Sequence, residues 1–259
     1  MTHPDIALSP PSGPPGAPLL VLGHSIGTGP LIWEDALPAL AARFRVSLLT
    51  LPGHAGVPVP PEPFSLRELA DAVADGVRGL GEGPARYAGV SIGGALALVL
   101  ALEHPKLFPA VAALAAGAEL GGEAHWLERA ALVREQSTSV LLIPSASIWF
   151  APDSIANRPE LTGRILHALQ DTPAEGYARC AEALSSYDLR ADLGRIRVPV
   201  LAAWGEHDTV GTEARQAEIV AGVRNGRAVR IDGAAHQPPA EQPERTAAAL
   251  LRFFAEVGS

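Results

Sequence analysis

The strongest constraint on this 259-residue chain is a rhythm in which short apolar runs alternate with longer segments of helical spacing. The runs are "PLLVLG" ending at Gly23, "RVSLLTLPG" ending at Gly53, "RYAGVS" ending at Ser91, the Ala-rich "AVAALAAG", then "VPVLAAWGEHD" and "AVRIDGAAH". Each is short and bounded by Gly or Pro, the pattern of strands buried on both faces of a parallel sheet. Between them, "SLRELADAVADGVRGL" sets Leu66, Leu69, Val73, Val77 and Leu80 at helical spacing. "GGALALVLALEHP" reads as a helix stopped by Pro105, and "EQPERTAAALLRFFAEV" as a closing helix. Alternating strands and helices predict an α/β fold with a mostly parallel sheet and right-handed crossovers.

One stretch breaks the rhythm. Between Gly121 and Asp192, "GEAHWLERAALVREQ", "ELTGRILHALQ" and "AEGYARCAEALSSY" predict helices joined by Pro-containing loops. "SVLLIPSASIWF" is ambiguous, and its position favours a helix or loop over a strand. The expected organisation is a core of residues 1–120 and 193–259 with a helical cap, 121–192, inserted over the strand ends, where α/β proteins bind ligands. "SPPSGPPGAP" and "LPGHAGVPVPPEPF" read as loops.

Several classes are excluded early. A net charge of −8 is wrong for nucleic acid, which needs clustered Lys and Arg. No run approaches a membrane span, and "MTHPDIALSPPSGPPGAP" has neither the basic nor the apolar region of a signal peptide. Cys180 is the only cysteine, so no disulfide forms within the chain, and the expected location is the cytoplasm. The histidines are scattered without zinc spacing, "GVSIGGALAL" lacks a P-loop lysine, and no dinucleotide fingerprint follows the first strand. No cofactor or metal is expected. The expected partner is a small molecule, and oligomeric state is not readable.

What remains is the serine in "YAGVSIGGAL". A serine hydroxyl is a weak nucleophile that needs a base, a group to orient the base, and donors for the oxyanion. Ser91 stands between a strand and a helix, with Gly89 and Gly93 leaving room for a sharp turn. His236 follows the last strand, in "IDGAAHQPP", where a base is required. Asp208 ends the strand "VLAAWGEHD", where a carboxylate would fix the tautomer of the histidine; Glu119 and Glu206 are rivals. Backbone amides at Ile92, next to the serine, and Ile26, in the Gly-rich loop "GHSIGTG", are the expected oxyanion donors, with Ser25 as an alternative to Ile26.

The order "GHSIG…W", "LPGH", "GVSIGG", "GEHD" and "AAHQPPAEQPE" resembles the α/β-hydrolase superfamily along nearly the whole chain. More narrowly, "HSIGTGPLIWEDALPALAARFRV", "HWLERAALVRE" and "EGYARCAEALSSYDLRADLGRIRVPVLAAWGEHD" resemble the 3-oxoadipate enol-lactone hydrolases of the β-ketoadipate pathway. The chain departs from relatives at "TLPGHAGVPVP", where Thr50 and Ala55 stand in place of the usual residues. The resemblance implies a small enol-lactone substrate with a free carboxylate. Arg134 or Arg129 on the first cap helix would bind that carboxylate, with Arg134 the first choice, and Trp126 and Trp149 would wall the pocket. A general carboxylesterase, a C–C bond hydrolase and a non-catalytic ligand receptor on the same fold are the alternatives.

Overall fold

The computed structural model describes residues 3–257. Seven strands form one sheet: β1 (Ala7–Leu8), β2 (Leu19–Gly23), β3 (Arg45–Thr50), β4 (Ala85–Val90), β5 (Val111–Leu114), β6 (Val200–Gly205) and β7 (Gly226–Ile231). Their spatial order is β1-β3-β2-β4-β5-β6-β7, and every pairing is parallel except that of β1 with β3. All residues of β2, β5 and β6 are buried, as their unbroken apolar runs require.

Helices α1 (Leu37–Ala41), α2 (Leu66–Leu80), α3 (Ile92–Glu103), α9 (Glu213–Gly222), α10 (Pro238–Glu241) and α11 (Pro243–Glu256) surround the sheet. Helix α2 starts where the Ser65 hydroxyl accepts the Glu68 amide at 3.2 Å and the Glu68 carboxylate accepts the Ser65 amide at 2.8 Å. Helix α3 has no polar face because β4 and β5 cover one side and α2 the other, burying every residue from Ile92 to Ala101.

Between β5 and β6 the chain runs through α4 (Glu123–Gln136), α5 (Leu142–Trp149), α6 (Ser154–Asn157), α7 (Pro159–Asp171) and α8 (Ala174–Ser185) with no strand. The ambiguous "SVLLIPSASIWF" is a 3-10 turn followed by α5. Helix α4 packs along α8, and α8 sits on the core where Gly176 lies against Gly53; a Cβ on either would collide with the other's backbone. No helix among the described residues is long and apolar enough to cross a membrane.

The sheet direction sets the site. The chain moves from β2 outward to β3, then returns to place β4 on the other side of β2, which opens a crevice at the carboxyl ends of β2 and β4. Register pairs Gly23 with Gly89, so the loop that begins at His24 lies alongside Ser91.

Candidate active site

Ser91 leaves β4 with φ 57° and ψ −116°, a conformation disfavoured for a residue with a side chain. Its surroundings hold it there: its amide donates to Leu114 O at 2.8 Å, and its carbonyl accepts Ala95 N as α3 begins. The turn is tight enough that a Cβ on Gly89 would strike the Gly93 backbone. The result is a serine poised at the start of α3, 4% exposed and facing a cavity.

His236 and Asp208 come from the loops after β7 and β6. The His236 Nδ1–H donates to the Asp208 carboxylate, at 3.1 Å to Oδ1 and 3.2 Å to Oδ2. That tautomer leaves Nε2 as the acceptor. Asp208 Oδ1 also accepts the amides of Val210 at 2.8 Å and Gly211 at 3.0 Å. Burial opposes ionisation of Asp208, but the charge and hydrogen bond of His236 and the two amides outweigh it, holding its pKa below the ordinary value. The rival carboxylates are engaged elsewhere. Glu119 accepts the Gly122 amide and pairs with Arg215, while Glu206 accepts the Gly233 amide.

The loop after β2 is braced by residues that sequence reasoning left without a role. His24 Nδ1–H donates to Ser25 O at 2.9 Å and its Nε2 accepts the Leu51 amide at 3.0 Å. His54 Nδ1–H donates to Pro52 O at 2.8 Å and its Nε2 accepts the Gly27 amide at 2.9 Å. Burial, with the neighbouring His54 adding to it, pushes His24 down to about 3, and burial pushes His54 down to about 4. Both are neutral braces with both nitrogens engaged. The departure at Thr50 and Ala55 therefore leaves this bracing in place. The Gln237 amide donates to Ser25 Oγ at 2.8 Å, joining the β2 loop to the residue after His236.

The Gly27 amide is taken by His54 and the Thr28 amide by Ser25 O, whereas the Ser25 and Ile26 amides have no acceptor among the described residues, and both residues line the cavity. Ile92 is the first residue of α3, so its N–H has no acceptor within the helix. Backbone amides without an acceptor are donors that an anionic oxygen can use.

The cavity measures about 230 Å³ and joins core to insertion. Ser25, Ile26, Ser91 and His236 form its floor; Trp126, Arg129, Ser145, Ile148, Trp149 and Tyr177 come from the insertion. Both sequence-predicted tryptophans are thus wall residues. Trp126 donates its indole N–H to Leu120 O, and the Arg129 guanidinium stands 5.7 Å from its ring centre.

The two arginines of α4 part company. Arg134, the first choice from sequence, lies outside the cavity: it donates to Glu175 at 2.7 and 2.9 Å and to Glu182 at 2.5 Å, both on α8. Arg129 lines the cavity and pairs with no carboxylate among the described residues. A second cation on the wall, Arg215 of α9, is held by the Glu119 carbonyl and carboxylate. The lone Cys180 is buried, with its thiol pushed up by burial. No group of three or more metal-binding side chains occurs among the described residues.

A strained serine at a strand-to-helix turn, below a histidine–aspartate pair on later strand ends, is the arrangement of a serine hydrolase on a parallel sheet. A family model for the alpha/beta hydrolase fold matches residues 18–243, and the chain belongs to that family. Among named proteins, 3-oxoadipate enol-lactonase 2 of Acinetobacter baylyi is 33% identical over 215 residues, covering 83% of this chain and 80% of its own. A pimeloyl-[acyl-carrier protein] methyl ester esterase of Neisseria meningitidis is 30% identical over 258 residues, 95% of this chain and 96% of its own. The crystal structure of the enol-lactonase from Burkholderia xenovorans LB400 superposes with a TM-score of 0.92, at 27% identity and over 96% of each chain. The protein is a hydrolase acting on ester bonds.

Proposed function

We propose that the protein opens a small enol-lactone carrying a free carboxylate, with 3-oxoadipate enol-lactone as substrate and 3-oxoadipate as product. The observation that carries this reading is Arg129: a cation without a carboxylate partner among the described residues, in a small cavity that also holds Ser91. In a chain of net charge −8, such a residue offers the local attraction that an anionic substrate needs. The lactonase relatives support the same substrate class. The insertion, residues 121–192, acts as the cap that closes over it.

In this mechanism His236 Nε2 takes the proton of Ser91 as Oγ adds to the lactone carbonyl, and Asp208 stabilises the imidazolium. The oxyanion is received by the Ile92 and Ile26 amides. Its collapse breaks the ring C–O bond and expels an enolate, a much weaker base than an alkoxide, so departure needs little acid help. The enolate takes up on carbon the proton held by the His236 imidazolium, which gives the ketone, still tethered to Ser91 through its acyl end, and returns His236 to its neutral form. Water, deprotonated by His236, then adds to the ester, and its collapse releases 3-oxoadipate and restores the Ser91 hydroxyl.

The methyl ester esterase relatives favour a second reading, a hydrolase of small simple esters by the same steps. The cavity is below the roughly 300 Å³ at which ordinary ligand pockets begin, which limits the acyl group to a short one. The deciding experiment follows ultraviolet loss of the enol-lactone beside aryl and methyl esters, with Ser91→Ala in parallel. Ser91-dependent turnover that favours the lactone supports the first reading. Turnover of the simple esters alone replaces it with the second.

A further inference from the structure

Glu241 is a buried carboxylate that the chemistry above does not use. It ends the short helix α10, whose "PPAE" sequence starts on two prolines with φ already set for a helix. The hydroxyl of Thr246 secures that helix by donating to Pro238 O at 2.9 Å. Glu241 is 4% exposed and accepts four hydrogen bonds, divided between its two oxygens. Oε2 takes the amides on either side of the histidine, Ala235 N at 2.8 Å and Gln237 N at 3.1 Å. Oε1 takes two groups just beyond α5, Ala151 N at 2.6 Å and Ser154 Oγ at 2.7 Å. The His236 amide itself donates to Trp149 O at 3.2 Å, on the last residue of α5.

We propose that Glu241 is a positioning residue that ties the insertion segment 149–154 to His236, so that the walls of the cavity and the general base move as one body. This rests on the assignment of His236 as the base of Ser91. The division of bonds is the reason for the inference. A carboxylate that served packing alone would have no need to grip both neighbours of the histidine with one oxygen and the end of α5 with the other. Ser145, Ile148 and Trp149 of α5 line the cavity, so an acyl group pressing on them bears on His236 through two links, Trp149 O and Glu241. All four partners donate, so only a side chain with two accepting oxygens satisfies them together.

Glu241→Gln removes that capacity. Whichever way the amide turns, its NH2 faces a backbone N–H, Ala151 on one side or Ala235 and Gln237 on the other. The readouts are kcat and KM for a p-nitrophenyl ester, and the rate at which a small fluorophosphonate labels Ser91. Each rate is expressed per site that finally labels, so that partial unfolding changes the number of sites and not the rate. A displaced base lowers kcat and the labelling rate together by about a hundredfold. KM should stay within roughly threefold. Ser154→Ala, which loses a single bond on the insertion side, should lower kcat by roughly two- to tenfold.

Glu241→Gln with wild-type kcat and labelling rate overturns the proposal, as does a change confined to KM. If Glu241→Gln does not fold, Ser154→Ala decides, and wild-type kcat there overturns it. A wild-type protein that fails to label at all removes the Ser91–His236 assignment itself, and with it this role for Glu241. The two failures are therefore distinct.

Discussion

The cavity has two walls built on different principles. On the core side, buried polar side chains form a hydrogen-bonded network: His24, His54 and Gln237 brace the loop after β2, and Asp208 holds His236. On the insertion side, the end of α5 is held by the buried Glu241, but α4 and α7 are joined to their surroundings by arginine–carboxylate pairs near the surface. Arg134 reaches Glu175 and Glu182, Arg158 reaches Asp35 at 2.6 Å, and Arg164 reaches Glu34 at 2.7 Å. Buried neutral networks resist distortion because an unmade bond leaves a desolvated group unpaired; exposed ion pairs exchange partners with water at little cost. Ser91, Asp208 and His236 thus lie on the rigid wall. Trp126 and Arg129 of α4 line the cavity from the compliant side, whereas α5, tied to the core through Glu241, goes with the rigid one.

The comparison breaks first, if it breaks, at Ser91. Ser91→Ala removes the nucleophile without changing the backbone demand at φ 57°. Ester turnover should fall by roughly 10⁴-fold or more, with the denaturation midpoint unchanged. Stopped assays on the variant at high enzyme concentration measure this directly. Residual activity above a hundredth of wild type would mean that Ser91 is not the attacking group.

The next effect concerns the stiffness of the core wall. Unfolded histidine takes up a proton near pH 6.5, but His24 and His54 do so in the fold only at about 3 and about 4. Between those values the unfolded chain binds more protons, so the stability from keeping these rings neutral is complete above about pH 6.5 and falls as the pH drops. Each ring costs up to about 1.4 kcal/mol per pH unit, or about 2 kcal/mol by pH 5. Urea denaturation of the wild type and His54→Gln at pH 8 and pH 5 isolates one ring. His54→Gln should be the less stable protein at pH 8 yet lose about 2 kcal/mol less between the two pH values. An equal loss in both proteins would show that His54 is not kept neutral by the fold.

Legibility in the sequence follows the same divide. Ser91, Asp208 and His236 stand at strand ends, and a strand end can be found from a local run of apolar residues followed by a turn. Position at the end of its strand favours Asp208 over Glu206, and in the structure two amides and His236 converge on Asp208. Bracing residues were harder. The rings of His24 and His54 pair with amides 27 residues away, a distance along the chain that no local pattern spans. Glu241 looked like part of the start of the closing helix. The two-residue strand β1 is too short to carry a period. Arg129 and Arg134 show the limit most clearly. Both flank the buried stripe Trp126, Ala130 and Val133 of α4, one on each side. Which flank meets the cavity depends on how α4 lies on α8, a tertiary fact. A usable hint existed in Glu175 and Glu182, seven residues apart and so on one face of α8, ready to capture an arginine.

A smaller effect separates binding from chemistry. Arg129→Ala should raise KM for a carboxylated lactone by roughly ten- to a hundredfold, the range of a charge-assisted pair, and change KM for a neutral aryl ester by much less. The contrast between substrates is the measurement, because loss of packing against Trp126 would raise both values alike. Equal increases would assign Arg129 to the wall and leave the substrate carboxylate to Arg215.

The smallest effect is expected five residues along the same helix. Arg134 makes three hydrogen bonds to two carboxylates, which on paper is the stronger set of contacts. Its side chain is 34% exposed, however, and Glu175 is 40% exposed, so water screens the attraction and replaces much of it when the pair is broken. Arg134→Ala should therefore cost about 1 kcal/mol of stability or less, shrinking further in high salt. KM for the lactone should stay within about twofold, since a residue outside the cavity contributes to binding only through the placing of α4. A tenfold rise in KM would mean that the α4–α8 contact sets the position of Arg129 far more tightly than surface ion pairs normally can. Helix α4 would then have to be counted with the rigid wall.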